Sequence, residues 1–119
     1  MSRPKLTPQI AYNLARRLYM VSGECDTRLE SVIAQEGEWA YLYAKHILRG
    51  PWPEAEISLS KDPSWAYWYA RDVLKAPFPE AEPAIAQDSG WTKEYLRKML
   101  KTEEDRDRFR EVQRWVARS

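Results

Sequence analysis

Apolar residues recur along this chain at helical spacing. Ala66, Tyr69, Ala70 and Val73 fall at i, i+3, i+4 and i+7, one stripe of a 3.6-residue period. Ala40, Tyr43, Ala44 and Ile47 form the same stripe earlier, and Thr92, Tyr95, Leu96 and Met99 form it later. Ala11, Leu14, Ala15 and Leu18 give a fourth version near the start. Each stripe is expected to be core, its leading small residue letting a neighbouring helix approach. No segment keeps the alternation of a strand.

The punctuation agrees. Asp62 and Pro63 supply an N-cap and a first helical residue. The helix they open is expected to run to about Lys75 and to stop before "APFP" (76–79). Pro79 opens a shorter helix with Glu80 and Glu82 in its first turn, where the dipole favours anions. Thr7 with Pro8, Asp26 or Thr27 with Glu30, Asp88 or Ser89, and Thr102 start further helices. Gly50 suits the left-handed C′ position of the long helix before it.

These elements repeat. "EWAYLYAKHILRGPWPEAEISLSKDP" (38–63) aligns without gaps on "SWAYWYARDVLKAPFPEAEPAIAQDS" (64–89), and "GWTKEYLRKMLK" (90–101) begins a third copy. Trp39, Trp65 and Trp91 are spaced by 26 residues, as are Tyr43, Tyr69 and Tyr95. "LESVIAQE" (29–36) joins the same register, and the first stripe matches at an offset of 29. The prediction is one all-α domain over 1–119, a short α-solenoid-like repeat bundle of seven or eight helices. Its units span about 7–37, 38–63, 64–89 and 90–101, followed by a capping helix over 102–118.

The aromatic content, 13%, then has a cause. Trp39, Trp65 and Trp91 lie at stripe edges and are read as packing between units. Trp52 and Phe78, framed by prolines, are read as staples pinning the turn to the next helix. Tyr41, Leu42, Tyr67 and Trp68 point away from the stripe, with Arg71 and Lys75 on the same outer side. Unit three carries Lys93 and Glu94 there instead. Packing against a flanking helix and an exposed partner-binding patch are both open for these six residues.

Charge narrows the functions. The chain has a net charge of +1, but residues 1–22 hold Arg3, Lys5, Arg16 and Arg17 and no acid. Residues 23–90 hold six Lys/Arg against twelve Asp/Glu. This break in the basic track argues against a continuous nucleic-acid groove. The second-choice reading is nucleic-acid binding at the ends, through Arg3, Lys5, Arg16, Arg17, Arg110 and Arg114. The cationic positions Lys45/Arg71/Arg97 and Arg49/Lys75/Lys101, and the acidic positions Glu54/Glu80 and Glu30/Glu56/Glu82, repeat with the units. They are read as dipole complements and inter-unit ion pairs.

Catalytic chemistry is not predicted. His46 and Cys25 are the only residues of their kinds, so a Cys/His metal site is excluded by count. The four glycines are not clustered into a phosphate loop. No catalytic residue, metal or cofactor is expected. No apolar run approaches the ~20 residues of a membrane helix, no signal peptide is recognisable, and the single cysteine suits a reducing cytoplasm.

The segments "WAYLYAKHILRGPWPEAE" and "WAYWYARDVLKAPFPEAEPAIAQD" resemble a tandem motif of small proteins from tailed bacteriophages and some giant viruses. The likeness covers about residues 29–100; the third unit departs from it by lacking the Pro-aromatic-Pro-Glu segment. It implies a virus-encoded protein working in the cytoplasm of an infected bacterium. By analogy with other small phage proteins, anti-CRISPR proteins among them, it implies a non-catalytic inhibitor or adaptor whose partner is a host or defence protein. The oligomeric state is left open.

Overall fold

Side-chain caps open five of the helices, but not the one that starts at Glu36. Thr7 accepts from the Ile10 N–H at 3.2 Å, Asp26 from Arg28 at 2.8 Å, and Asp62 from Ser64 at 3.0 Å. Asp88, not Ser89, caps next, accepting from Gly90 at 3.0 Å and Trp91 at 3.1 Å, and Thr102 accepts from Asp105 at 3.2 Å. The computed structural model describes residues 5–119. Among these there are eight α-helices: α1 (Pro8–Ser22), α2 (Thr27–Ile33), α3 (Gly37–Tyr43), α4 (Glu56–Leu59), α5 (Pro63–Tyr69), α6 (Glu82–Ala86), α7 (Ser89–Lys98) and α8 (Glu103–Arg118); α3, α4 and α6 start without a side-chain cap. Single 3₁₀ turns, Pro53–Ala55 and Pro79–Ala81, lead into α4 and α6.

The long helices α3 and α5 end in a widened way. Each continues through a π turn, Ala44–Leu48 and Ala70–Leu74. In the first, the carbonyl of Ala44 accepts from both Arg49 and Gly50; in the second, Ala70 accepts from Lys75 and Ala76. The left-handed residue is therefore Arg49 or Lys75, each at φ 55°. Gly50 does not take the C′ role expected of it. The wider turn uses one more residue per helical circuit and moves the reversal one position upstream.

The helices stack as a short all-α repeat. Two ladders of aromatic pairs run through it. In the outer ladder, Tyr12–Trp39, Tyr41–Trp65 and Tyr67–Trp91 have ring centroids 5.5, 5.5 and 5.2 Å apart, all at an interplanar angle of 39°. Each joins the long helix of one unit to that of the next. In the inner ladder, Tyr43–Trp52, Tyr69–Phe78 and Tyr95–Phe109 lie 4.9, 5.4 and 5.4 Å apart. The proline-framed aromatics Trp52 and Phe78 are buried, their rings packed on tyrosines of the long helices that precede the turns. Unit three has no such segment, and Phe109 of α8 fills the vacant place.

A third ladder is polar. The hydroxyls of Tyr43, Tyr69 and Tyr95 donate to Glu30, Glu56 and Glu82 at 2.5, 2.7 and 2.6 Å, each across 13 residues. The same hydroxyls of Tyr69 and Tyr95 accept from the backbone N–H of Trp52 (2.8 Å) and Phe78 (3.0 Å). The second glutamate of "PEAE" thus holds a buried tyrosine as well as sitting near a helix start. Burial first, and then the adjacent carboxylate, pushes all three phenols above their ordinary value.

The stack ends differently at its two ends. At the C-terminal end, Arg108 donates to both oxygens of the fully buried Glu82, at 3.0 and 2.7 Å. Bidentate pairing of this kind neutralises a carboxylate that water cannot reach. At the other end, Leu14 occupies the register of Tyr43 and was expected in the core, but it is 47% exposed. Tyr43, Tyr69 and Tyr95 are each covered by the short helix that precedes them; no described element precedes α1. The radius of gyration is 16.2 Å, against about 13.5 Å for a globule of this length, as an elongated stack requires.

Candidate partner-binding surfaces

Of the six residues of the outward patch, two are not at the surface. Tyr41 and Tyr67 are 6% and 2% exposed, stacked under Trp65 and Trp91 in the outer ladder. For Tyr41 and Tyr67 the packing alternative holds and the exposed patch does not. A helix inside a stack has neighbours on two sides, so a second flank is buried besides the main stripe. Leu42 and Trp68 are partly buried, and Arg71 and Lys75 are exposed.

Around these residues the surface is cationic and aromatic. The Arg71 guanidinium lies 5.2 Å from the centroid of the Trp68 ring, within cation–π range. Trp68 meets Tyr67 and Trp91 edge-on, at 5.2 and 6.0 Å. The Tyr41 hydroxyl donates to Asp72 and accepts from Lys45 at 3.2 Å, while Lys45 and Arg71 reach Asp72 at 3.6 and 3.9 Å. Burial, with Asp72 second, raises the Tyr41 phenol above its ordinary value; the Tyr41 hydroxyl in turn raises Lys45. A groove of about 390 Å³ beside this cluster is lined by Lys45, Arg49, Asp72 and Lys75 among others. Asp72 has no acidic counterpart in the other units, where His46 and Lys98 stand.

The residues of the nucleic-acid reading are dispersed. Arg110 pairs with Asp107 at 2.6 Å, and Arg114 pairs with Glu111, so their charge is locally balanced. Lys5, Arg16 and Arg17 are exposed at the opposite end, on or just before α1. Arg3 lies outside the described residues.

A second surface was not singled out in the sequence. Among the described residues, seven large apolar side chains are exposed, and five belong to α1 or its approach: Leu6 39%, Ile10 45%, Leu14 47%, Met20 72% and Val21 83%. The offset of 29 was the available signal, since it places Ile10 in the register of Trp39. Every later residue of that register stacks on a tyrosine of the preceding unit, and Ile10 has none. Among the described residues no helix is long and apolar enough to cross a membrane. Compared with known protein families, with curated proteins and with solved structures, the chain matches none.

Proposed function

We propose that this chain is a non-catalytic protein-binding module, acting as an inhibitor or adaptor that captures a host or defence protein in an infected bacterium. The observation that carries the binding role is the concentration of exposed apolar side chains on α1, the first described helix of the stack. Terminal units of repeat proteins need a polar outer face to stay soluble alone, and large exposed apolar patches mark interaction sites. The phage setting rests on the resemblance of residues 29–100 to the viral tandem motif.

The test is affinity purification from phage-infected cells, comparing the wild-type chain with Ile10→Glu/Leu14→Glu, followed by reconstitution with the purified partner. The expected result is one stoichiometric partner that the double variant loses while keeping its helical circular dichroism. A partner retained equally by both chains moves the site to Leu42, Trp68, Arg71 and Lys75. Failure of any captured protein to reconstitute removes the reading.

A further inference from the structure

The exposed face of α1 has a readable geometry. Ile10, Leu14, Arg17 and Val21 are spaced by four, three and four residues, so at about 100° per residue they fall within about 60° of one another. This is the seam of a two-heptad helix pair, with a cation where the partner expects an apolar residue. Ile10, Leu14, Arg17 and Val21 are all exposed, while Ala11, Tyr12 and Ala15 on the other side are buried against the stack. Residues 5–22 contain Lys5, Arg16 and Arg17 and no acid.

From this geometry we infer that α1 docks an acidic amphipathic helix of a partner protein, laid where the long helix of a preceding unit would lie. The inference rests on the binding-module reading and specifies the partner's chemistry. The incoming helix presents apolar residues to Ile10, Leu14 and Val21, in the way Tyr12, Tyr41 and Tyr67 meet the tryptophans of the next unit. It presents a carboxylate to Arg17, because a guanidinium inside an apolar seam is held only by an opposite charge. A second copy of this chain fits poorly, since pairing α1 with itself sets Arg17 against Arg17 when parallel or Leu14 when antiparallel, and residues 5–22 offer it no carboxylate. A lipid surface also fits poorly: the stripe is narrow, holds no aromatic residue and carries Arg17 in its middle.

The test uses the full chain and a fluorescein-labelled two-heptad peptide with leucine at its seam and glutamate on the flanks. A twin peptide carries lysine in place of each glutamate. Anisotropy titration is expected to show saturable binding of the acidic peptide and roughly tenfold or greater weakening for the twin. Arg17→Glu should reverse that order, and Leu14→Asp should abolish binding of both peptides with unchanged circular dichroism. Binding that ignores the sign of the peptide overturns the inference, as does no saturable binding of either. So does light scattering that shows a dimer lost in Leu14→Asp, or co-sedimentation with anionic phosphatidylserine vesicles that Arg17→Glu removes. Should the lysate partner depend on Ile10 and Leu14 while both peptides fail, the binding module stands and the acidic helix falls.

Discussion

The hydroxyl of Tyr69 accepts a hydrogen bond from the backbone N–H of Trp52, at 2.8 Å across 17 residues. The same oxygen donates to Glu56 at 2.7 Å. One phenol therefore fixes the proline-framed turn of the preceding unit and the short helix that follows it. Tyr69→Phe keeps the ring and removes only this oxygen, stranding a buried N–H. A loss of about 2 kcal/mol is expected, read from the denaturant midpoint. Tyr43→Phe should cost less, because among the described residues no backbone N–H donates to its hydroxyl, so none is stranded. Equal losses at both sites would refute the double role of the Tyr69 hydroxyl.

Arg108 should matter more than any other arginine of α8. Its partner Glu82 is 0% exposed, whereas Arg110 and Arg114 pair with exposed acids. Arg108→Ala is expected to cost about 3 kcal/mol, the low end for breaking a buried pair, since the guanidinium itself is about one-third exposed. Adding Glu82→Gln to that variant should restore part of the loss. Arg114→Ala should shift stability by less than about 0.5 kcal/mol. Thermal melts of the four proteins decide the order.

Alkaline pH should unfold the chain. The phenols of Tyr43, Tyr69 and Tyr95 are raised above the ordinary value of about 10, so the unfolded chain loses these protons first. Their contribution to stability is complete below about pH 10 and declines as pH rises from there toward the folded-state values. The decline is at most about 1.4 kcal/mol per pH unit for each. Phenolate absorbance of these residues should appear together with loss of helical signal. Full tyrosine ionisation in a still-folded protein would contradict the buried ladder.

Glycine should stabilise at one helix end. Lys75 sits at φ 55°, where a side chain costs about 1 kcal/mol and glycine costs little. Lys75→Gly is expected to raise Tm by a few degrees, and Arg49→Gly to act alike. A fall in Tm would mean that the lysine side chain makes a contribution larger than the strain.

The pair Tyr67 and Trp68 separates packing from surface. Tyr67→Ala is expected to cost about 3 to 5 kcal/mol, enough to unfold much of a marginally stable domain. Trp68→Ala, at a partly buried site, should cost less than half as much. A chain that tolerates Tyr67→Ala without change in its melt would return Tyr67 to the surface.

Much of the architecture is legible in the sequence, because the 26-residue period multiplies weak signals. The Asp62 and Asp88 caps, the burial of Trp52 and Phe78, and the stacking of Trp65 follow from repetition and simple helix chemistry. Tyr41 and Tyr67 do not, since one apolar stripe per helix presumes one buried face. Leu14 carries the right pattern but lacks a neighbour, and pattern alone cannot supply one. The tyrosine–glutamate ladder was present as two 26-residue periods set 13 residues apart. Helix dipoles and inter-unit ion pairs already account for glutamates at these positions, and neither points to a buried phenol. The reversals at Arg49 and Lys75 leave no mark in residue type.

The three ladders set a unit of length for any change in the chain. Tyr69 binds partners 13 and 17 residues back, and Tyr95 repeats both distances. Duplicating residues 38–63 in place would give every new hydroxyl its carboxylate and every new ring its mate, while Arg108 and Phe109 still close the last unit. Adding or deleting one residue between a tyrosine and its glutamate would part these ties. The chain can lengthen by whole units, and otherwise only where a loop absorbs the excess, as the three extra residues between α1 and α2 do while Tyr12 still stacks on Trp39.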